Sequence, residues 1–231
     1  MNRVQREFTE LLNSNVDFFG FVNVRDYCSA ARNEENWIDP FDLIAEPKTI
    51  VVIGVKTVDE LLKRPGKNVA WHNITINIRL NQVLYDLSRF LNKKGFQVFP
   101  HFTINQNYTP PKWQDIARDV MPSKIIAKIA GIGSIGRNNL FIHKEFGAGV
   151  RLTALTTSAE FNWVHKVYEN LCNSCGLCIN MCPAGALTEK GYDPERCWQF
   201  LYKLQKTWGY AGCGNCMLAC RRNRKNNSQH L

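Results

Sequence analysis

Eight of the nine cysteines lie between Cys172 and Cys220, and Cys28 stands apart from them. The densest stretch, "LCNSCGLCINMCPAGAL" at 171–187, spaces Cys172, Cys175, Cys178 and Cys182 as C-x2-C-x2-C-x3-C-P. Downstream, "GCGNCMLAC" adds Cys213-x2-Cys216-x3-Cys220, and Cys197 stands between the two groups in "PERCWQFLYKL". The thiolate is the ligating form of cysteine. Three thiolates at successive x2 spacings can curl round one cube of iron and sulfide, while the fourth, three residues on, points away to serve a second cube. Zinc sites also use paired C-x2-C knuckles, but seldom need this triple spacing with C-x3-C-P. A disulfide scaffold would scatter its cysteines through a short secreted chain.

The first group matches the run of bacterial ferredoxins, in which the fourth cysteine serves the other cluster. The thiols then divide into two sets of four. Cys172, Cys175 and Cys178 form the first, with Cys220 crossing over as its fourth member. Cys213, Cys216 and Cys182 form the second, completed by Cys197, because the second motif is one cysteine short of a full copy. Two [4Fe-4S] clusters are therefore expected. Cys28, in "RDYCSAAR", reads as a small buried hydrophobe.

A ferredoxin needs only the last quarter of this chain. The elements in front alternate in type. Val4, Phe8, Leu11 and Leu12 share one face of a helix over about 1–14. "KTIVVIGV" at 48–55 is a β-branched buried strand. Leu80, Val83, Leu84, Leu87 and Leu91 recur at helical spacing from about Arg79 to Lys94, with Gly95 as the stop. "FQVFPHF" is a further strand, "PSKIIAKIAGIGSIGRNNLFI" a short helix, a glycine turn and a strand, and "GVRLTALTTS" at 149–158 the last strand. Helices and strands mix over residues 1–165, an α/β pattern, and the cysteine-rich composition sets in at 166. The expected architecture is thus α+β, with an α/β domain over 1–165 and a small ferredoxin-like double-cluster domain over 166–231.

The chain has 231 residues, 45% of them hydrophobic and 11% aromatic, enough to bury a sizeable core. "MNRVQREFTELL" lacks the basic-then-apolar order of a secretory signal, and no apolar run reaches the length of a membrane span. A cytoplasmic protein without a membrane span is expected. The formal charge is +9, and two clusters with four thiolates each would lower it to about +5. That excess is a moderate attraction for anionic partners. His72, His101, His143, His165 and His230 are dispersed, with no H-x-x-x-H pair and no triad, and read as surface or satisfied polar residues.

The α/β part, then "AGIGSIGRNNLFIHKEFGAGVRLTALTTS", then the eight-cysteine pattern with its isolated Cys197, resembles the epoxyqueuosine reductase family and its relatives, the cobalamin-dependent reductive dehalogenases. The resemblance runs from about residue 40 to 222. It implies a nitroreductase-like first domain that binds cobalamin base-off, clusters that reduce the cobalt, and reductive removal of oxygen or halide from substrate. It implies an electron donor such as ferredoxin or flavodoxin, and a small-molecule or tRNA substrate. The family's "GxGxxGK"-like turn corresponds to Gly131, Gly133, Gly136 and Arg137, whose bare backbone could approach a bulky cofactor. A Rossmann fingerprint would need a strand before that turn and a helix after it, the reverse of the order expected here. The family's acidic proton donor in a "VDSAP"-like segment finds its counterpart in Asp119 of "RDVMPSK"; Asp119 could equally cap the helix near Pro122. Trp113, Trp163, Trp198 and Trp208 are expected to form a dry shell round the clusters. One rival is a ferredoxin-like electron carrier without catalysis of its own. The other is a tRNA epoxyqueuosine reductase in the strict sense.

Overall fold

The computed structural model describes residues 3–34, 37–62, 67–103, 121–163, 170–209 and 211–220. Its centre is a four-stranded sheet of β1 (Phe18–Asn23), β2 (Thr49–Lys56), β3 (Val98–His101) and β6 (Val150–Thr157), ordered β1-β2-β6-β3. Every pairing is antiparallel, with Phe18 opposite Gly54, Thr49 opposite Thr157 and Val98 opposite Thr157. Pro100 lacks a ladder donor, and β3 lies at the sheet edge, where that is tolerated.

Both faces of the sheet are covered, so β2 reads as a continuous apolar run rather than an alternating one. Ile50 and Val52 point to one side, with Val22 and Ala154, against α2 (Val24–Ala31) and α5 (Ser123–Ile129). Val51 and Ile53 point to the other, with Phe21 and Leu155, against α1 (Arg3–Asn15) and α4 (Lys67–Lys93). The short α3 (Asp59–Leu62) leads into α4. The result is a mixed α and β body of two helical layers on a central sheet.

The expected elements are present, with two differences. The segment Phe18–Ala31, which carried no assignment, is β1 followed by α2, started by the Asn23 side chain accepting from the Arg25 N–H. The helix expected from Arg79 begins at Lys67. Its first turns hide the usual apolar rhythm because Trp71 and Ile78 are exposed while Asn77 is buried. That carboxamide accepts from Arg151 Nη2 at 2.9 Å, and a buried polar group with a partner is tolerated.

After α5 the chain forms a hairpin of β4 (Gly133–Ile135) and β5 (Phe141–His143). The cysteine-rich part follows: α6 (Leu177–Asn180), the small hairpin β7 (Leu187–Thr188) and β8 (Gly191–Tyr192), α7 (Pro194–Trp208), and a helix over 215–220. Asp193 caps α7 by accepting from the Arg196 N–H, and Pro194 occupies the first helical position, where its missing donor costs nothing. Among the described residues, no helix is long and apolar enough to cross a membrane.

Candidate iron–sulfur site

All nine cysteines are free. Cys182, Cys197, Cys213 and Cys216 come from a loop, the first turn of α7 and the stretch before and into the last helix, yet they line one cavity of about 310 Å³. Phe200, Leu201, Met217 and Leu140 give it an apolar lining, and Asn73, Lys124, Asn138, Asn139 and Arg151 bring the first body into its wall. These four thiols are the set that spacing assigned to the second cluster.

Their electrostatics reflect the crowding. Burial pushes the Cys216 thiol up to about 12, and the thiols of Cys213, Cys197, Cys182 and Cys178 push it the same way. Cys213 is raised by burial, opposed by the Asn215 backbone N–H, with Cys197 and Cys182 adding to the rise. Cys197 is raised by burial against the Tyr192 hydroxyl, with Cys182 adding again. Thiols must lose their protons to bind a metal, so a metal centre here would replace the protons that burial favours.

Cys172, Cys175 and Cys178 form a second group of neighbours. Cys178 is raised first by burial, then by Cys172 and Cys175. Ser174, at φ 56°, is one of two non-glycine residues held left-handed among the described residues, and it turns the backbone sharply between Cys172 and Cys175. Cys220 and Cys172 both pack on the small core of Ile142, Ala148, Met217 and Leu218. Among the described residues, no three or more of His, Cys, Asp and Glu close round a single ion.

The two parts meet through specific contacts. Ser134 Oγ accepts from the Leu171 N–H at 2.9 Å, Asn138 Nδ2 donates to the Cys216 carbonyl at 3.3 Å, and Arg137 pairs with Glu189. Gly212 lies so close to α4 that a Cβ would stand 2.7 Å from the Ala70 nitrogen, so only glycine lets the Cys213 loop rest there.

The glycine turn takes its form from local packing. Gly131 follows α5 with φ 69°, and its N–H bonds the Lys128 carbonyl. A Cβ on Gly133 would meet the Ile142 carbonyl oxygen at 2.2 Å, and one on Gly136 would meet Ile142 Cδ1 at 2.7 Å. The residues the turn presents to the cavity are the next three, Asn138, Asn139 and Leu140. These lay one step beyond the motif, and a run of carboxamides after a glycine turn was the signal available for them.

Asp119, Trp113, His165 and His230 lie outside the described residues. The other histidines are satisfied away from the cavity. His143 Nδ1 accepts from the Glu145 and Phe146 N–H groups, His72 Nε2 accepts from the Val58 N–H, and His101 shares a bond with Thr156 Oγ1. Trp163 departs from expectation: it packs on Phe19 and Phe21 and donates to the Ala130 carbonyl, inside the first body rather than round the clusters. Cys28 is half-buried against the α2–α5 core, as a small hydrophobe would be.

A family profile for the 4Fe-4S binding domain matches residues 165–188. The epoxyqueuosine reductase of Listeria monocytogenes is 24% identical over 206 residues, covering 82% of this chain and 52% of that protein. The tetrachloroethene reductive dehalogenase of Desulfitobacterium hafniense is 24% identical over 213 residues, covering 80% of this chain and 35% of the relative. The chain thus spans about half the length, or less, of these curated relatives. A solved epoxyqueuosine reductase carrying an epoxyqueuosine-modified tRNA-Tyr stem loop superposes with a TM-score of 0.66 at 20% identity, over 96% of this chain and 66% of that one. A reductive dehalogenase whose structure addresses B12-dependent dehalogenation superposes with a TM-score of 0.65 at 15% identity, over 91% and 30%. The chain is thus similar in sequence to epoxyqueuosine reductases and to reductive dehalogenases, shares the fold of solved structures of both, and carries a 4Fe-4S binding-domain match in its cysteine-rich part.

Proposed function

We propose that the chain is a reductase in which two [4Fe-4S] clusters deliver single electrons to a cobalamin held by a nitroreductase-like domain over 1–165, for reductive cleavage of a substrate. In this proposal the cluster domain covers 166–231. Cys172, Cys175, Cys178 and Cys220 hold one cluster, and Cys182, Cys197, Cys213 and Cys216 hold the other. The observation that carries it is the cavity on which four thiols from separate segments converge beside residues of the first body. When bound, cobalamin would supply a strongly reducing cobalt centre. The chain's fit to it rests on the polar wall. Asn73 Oδ1 is buried there without a hydrogen-bond partner among the described residues, and the amide N–H groups on a corrinoid rim are the donors it lacks. Gly131, Gly133, Gly136 and Arg137 would serve the cofactor by holding Asn138 and Asn139 in that wall. Asp119 is the proposed proton donor to the leaving group, and a ferredoxin or flavodoxin in the cytoplasm the proposed electron source.

Anaerobic reconstitution tests this. The chain should take up about eight iron atoms, and Cys197→Ser should hold about four. Added cobalamin should give a cob(II)alamin EPR signal without axial nitrogen splitting; iron uptake without that signal would leave an electron carrier and remove the corrinoid.

A strict tRNA epoxyqueuosine reductase is the second reading, favoured by the relatives' names and the formal charge of +9. It requires tRNA binding that weakens as salt rises. Filter binding at low and high salt decides it, and no retention at low salt excludes it.

A further inference from the structure

The cavity wall carries a feature that the cluster assignment leaves unused. Lys124, on α5, is half-buried and lines the same cavity as Cys182, Cys197, Cys213 and Cys216. Its ammonium donates to the Asn139 carbonyl at 2.9 Å and to Asn139 Oδ1 at 3.1 Å. Neither partner is charged, and Lys124 takes part in none of the ion pairs among the described residues. Burial pulls its pKa down, and the Glu34 carboxylate pulls it back up. A cation in a poorly solvated place without a carboxylate at hydrogen-bond distance is costly unless negative charge arrives from elsewhere.

The residues it grips lead to the thiols. Asn139 is left-handed at φ 56°, a conformation that asparagine tolerates better than most residues, and the lysine bonds both its carbonyl and its side chain. The neighbouring Asn138 Nδ2 donates to the Cys216 carbonyl, and Asn138 Oδ1 accepts from the Leu140 N–H at 3.2 Å. Arg151 shares the wall, but its Nη2 is directed to Asn77 of α4.

We infer that Lys124 is the half-buried cation that sets the reduction potential of the cluster site formed by Cys182, Cys197, Cys213 and Cys216, acting across their shared cavity and through the Asn138–Asn139 turn. The inference rests on the cluster assignment proposed above. Four thiolates round a [4Fe-4S]2+ core leave a formal charge of about −2, and one added electron makes it about −3 with no bond formed or broken. Lys124 stabilises the reduced form more than the oxidised form, because attraction to a fixed cation grows with each unit of negative charge and is weakly screened inside a cavity. It is a positioning and electrostatic residue, not a ligand.

The test is an EPR-monitored titration of the anaerobically reconstituted full chain, with dithionite as the one-electron donor. The signal that Cys197→Ser lacks marks the second cluster. Lys124→Met should make that cluster about tenfold harder to reduce, a shift of 59 mV for one electron, and leave the other where it was. Lys124→Arg, which keeps the charge, should stay within about threefold of the parent. If Lys124→Met fails to assemble clusters, Lys124→Gln carries the same expectation. An unchanged potential with full iron content overturns the inference, as does an equal shift in Lys124→Arg and Lys124→Met, or a shift confined to the first cluster. A parent chain that binds far fewer than about eight iron atoms refutes the cluster assignment instead.

Discussion

At the scale of single residues, burial decides which groups stay neutral. The thiols facing the cavity are one case, and His101 is the clearest outside it. Burial lowers its pKa to about 4, and its ring shares a bond of 2.9 Å with Thr156 Oγ1. The folded value lies below the unfolded value of about 6.5, so between the two only the unfolded chain binds the proton. Stability tied to this histidine is therefore complete above about pH 6.5 and is lost as pH falls toward 4, by at most about 3 kcal/mol. Urea unfolding at pH 7.5 and 4.5 should show that loss in the parent and a much smaller one in His101→Gln. An identical pH dependence in both would assign the loss to other groups.

At the scale of elements, the site depends on how closely a loop can approach a helix. The stretch before Cys213 rests on the first turn of α4, where a Cβ at position 212 would stand 2.7 Å from the Ala70 nitrogen and 2.8 Å from its Cα. Backbone cannot yield as a flexible side chain can, so Gly212→Ala must lift the loop that carries Cys213. The expected result is reconstitution to about four iron atoms instead of about eight, with the circular dichroism of the sheet body unchanged. Full iron content in this variant would mean that the loop finds another path to the same cavity. The hairpin of β4 and β5 plays the matching part from the other side, since its packing sets Asn138 against the Cys216 carbonyl.

At the scale of the whole molecule, apolar packing and backbone contacts hold the cysteine-rich part to the sheet body. Ile142 and Ala148 from one side meet Met217 and Leu218 from the other, and Ser134 and Asn138 reach across to the opposing backbone. The one cross-boundary ion pair among the described residues, Arg137 with Glu189, lies at the surface, with the glutamate side chain 77% exposed. Exposed pairs contribute about 0–1 kcal/mol. Arg137→Ala should therefore lower unfolding stability by less than about 1 kcal/mol in thermal or urea melts and leave iron content intact. A larger loss of either would give Arg137 a role beyond this pair.

Much of this was legible in the sequence, for physical reasons that differ by element. Ligand spacing is a local property, so the C-x2-C-x2-C-x3-C-P run was enough to point to the 4Fe-4S binding domain matched over residues 165–188. Periodicity is local too, and it placed α1, β2, the second half of α4 and β6. It failed over Phe18–Ala31, where a strand runs straight into a helix, and over the first turns of α4, where Trp71 and Ile78 are exposed and Asn77 is buried beneath Arg151. What no spacing could supply was contact across the chain. The sheet order β1-β2-β6-β3, the approach of Gly212 to Ala70, and the meeting of Lys124, Asn139 and Cys216 round one cavity each join residues tens of positions apart. The chain by itself determined the iron–sulfur type of its cysteine-rich part. Only the folded body decided which charges and carboxamides face the thiols, because that follows from long-range packing of surfaces whose partners are distant in sequence.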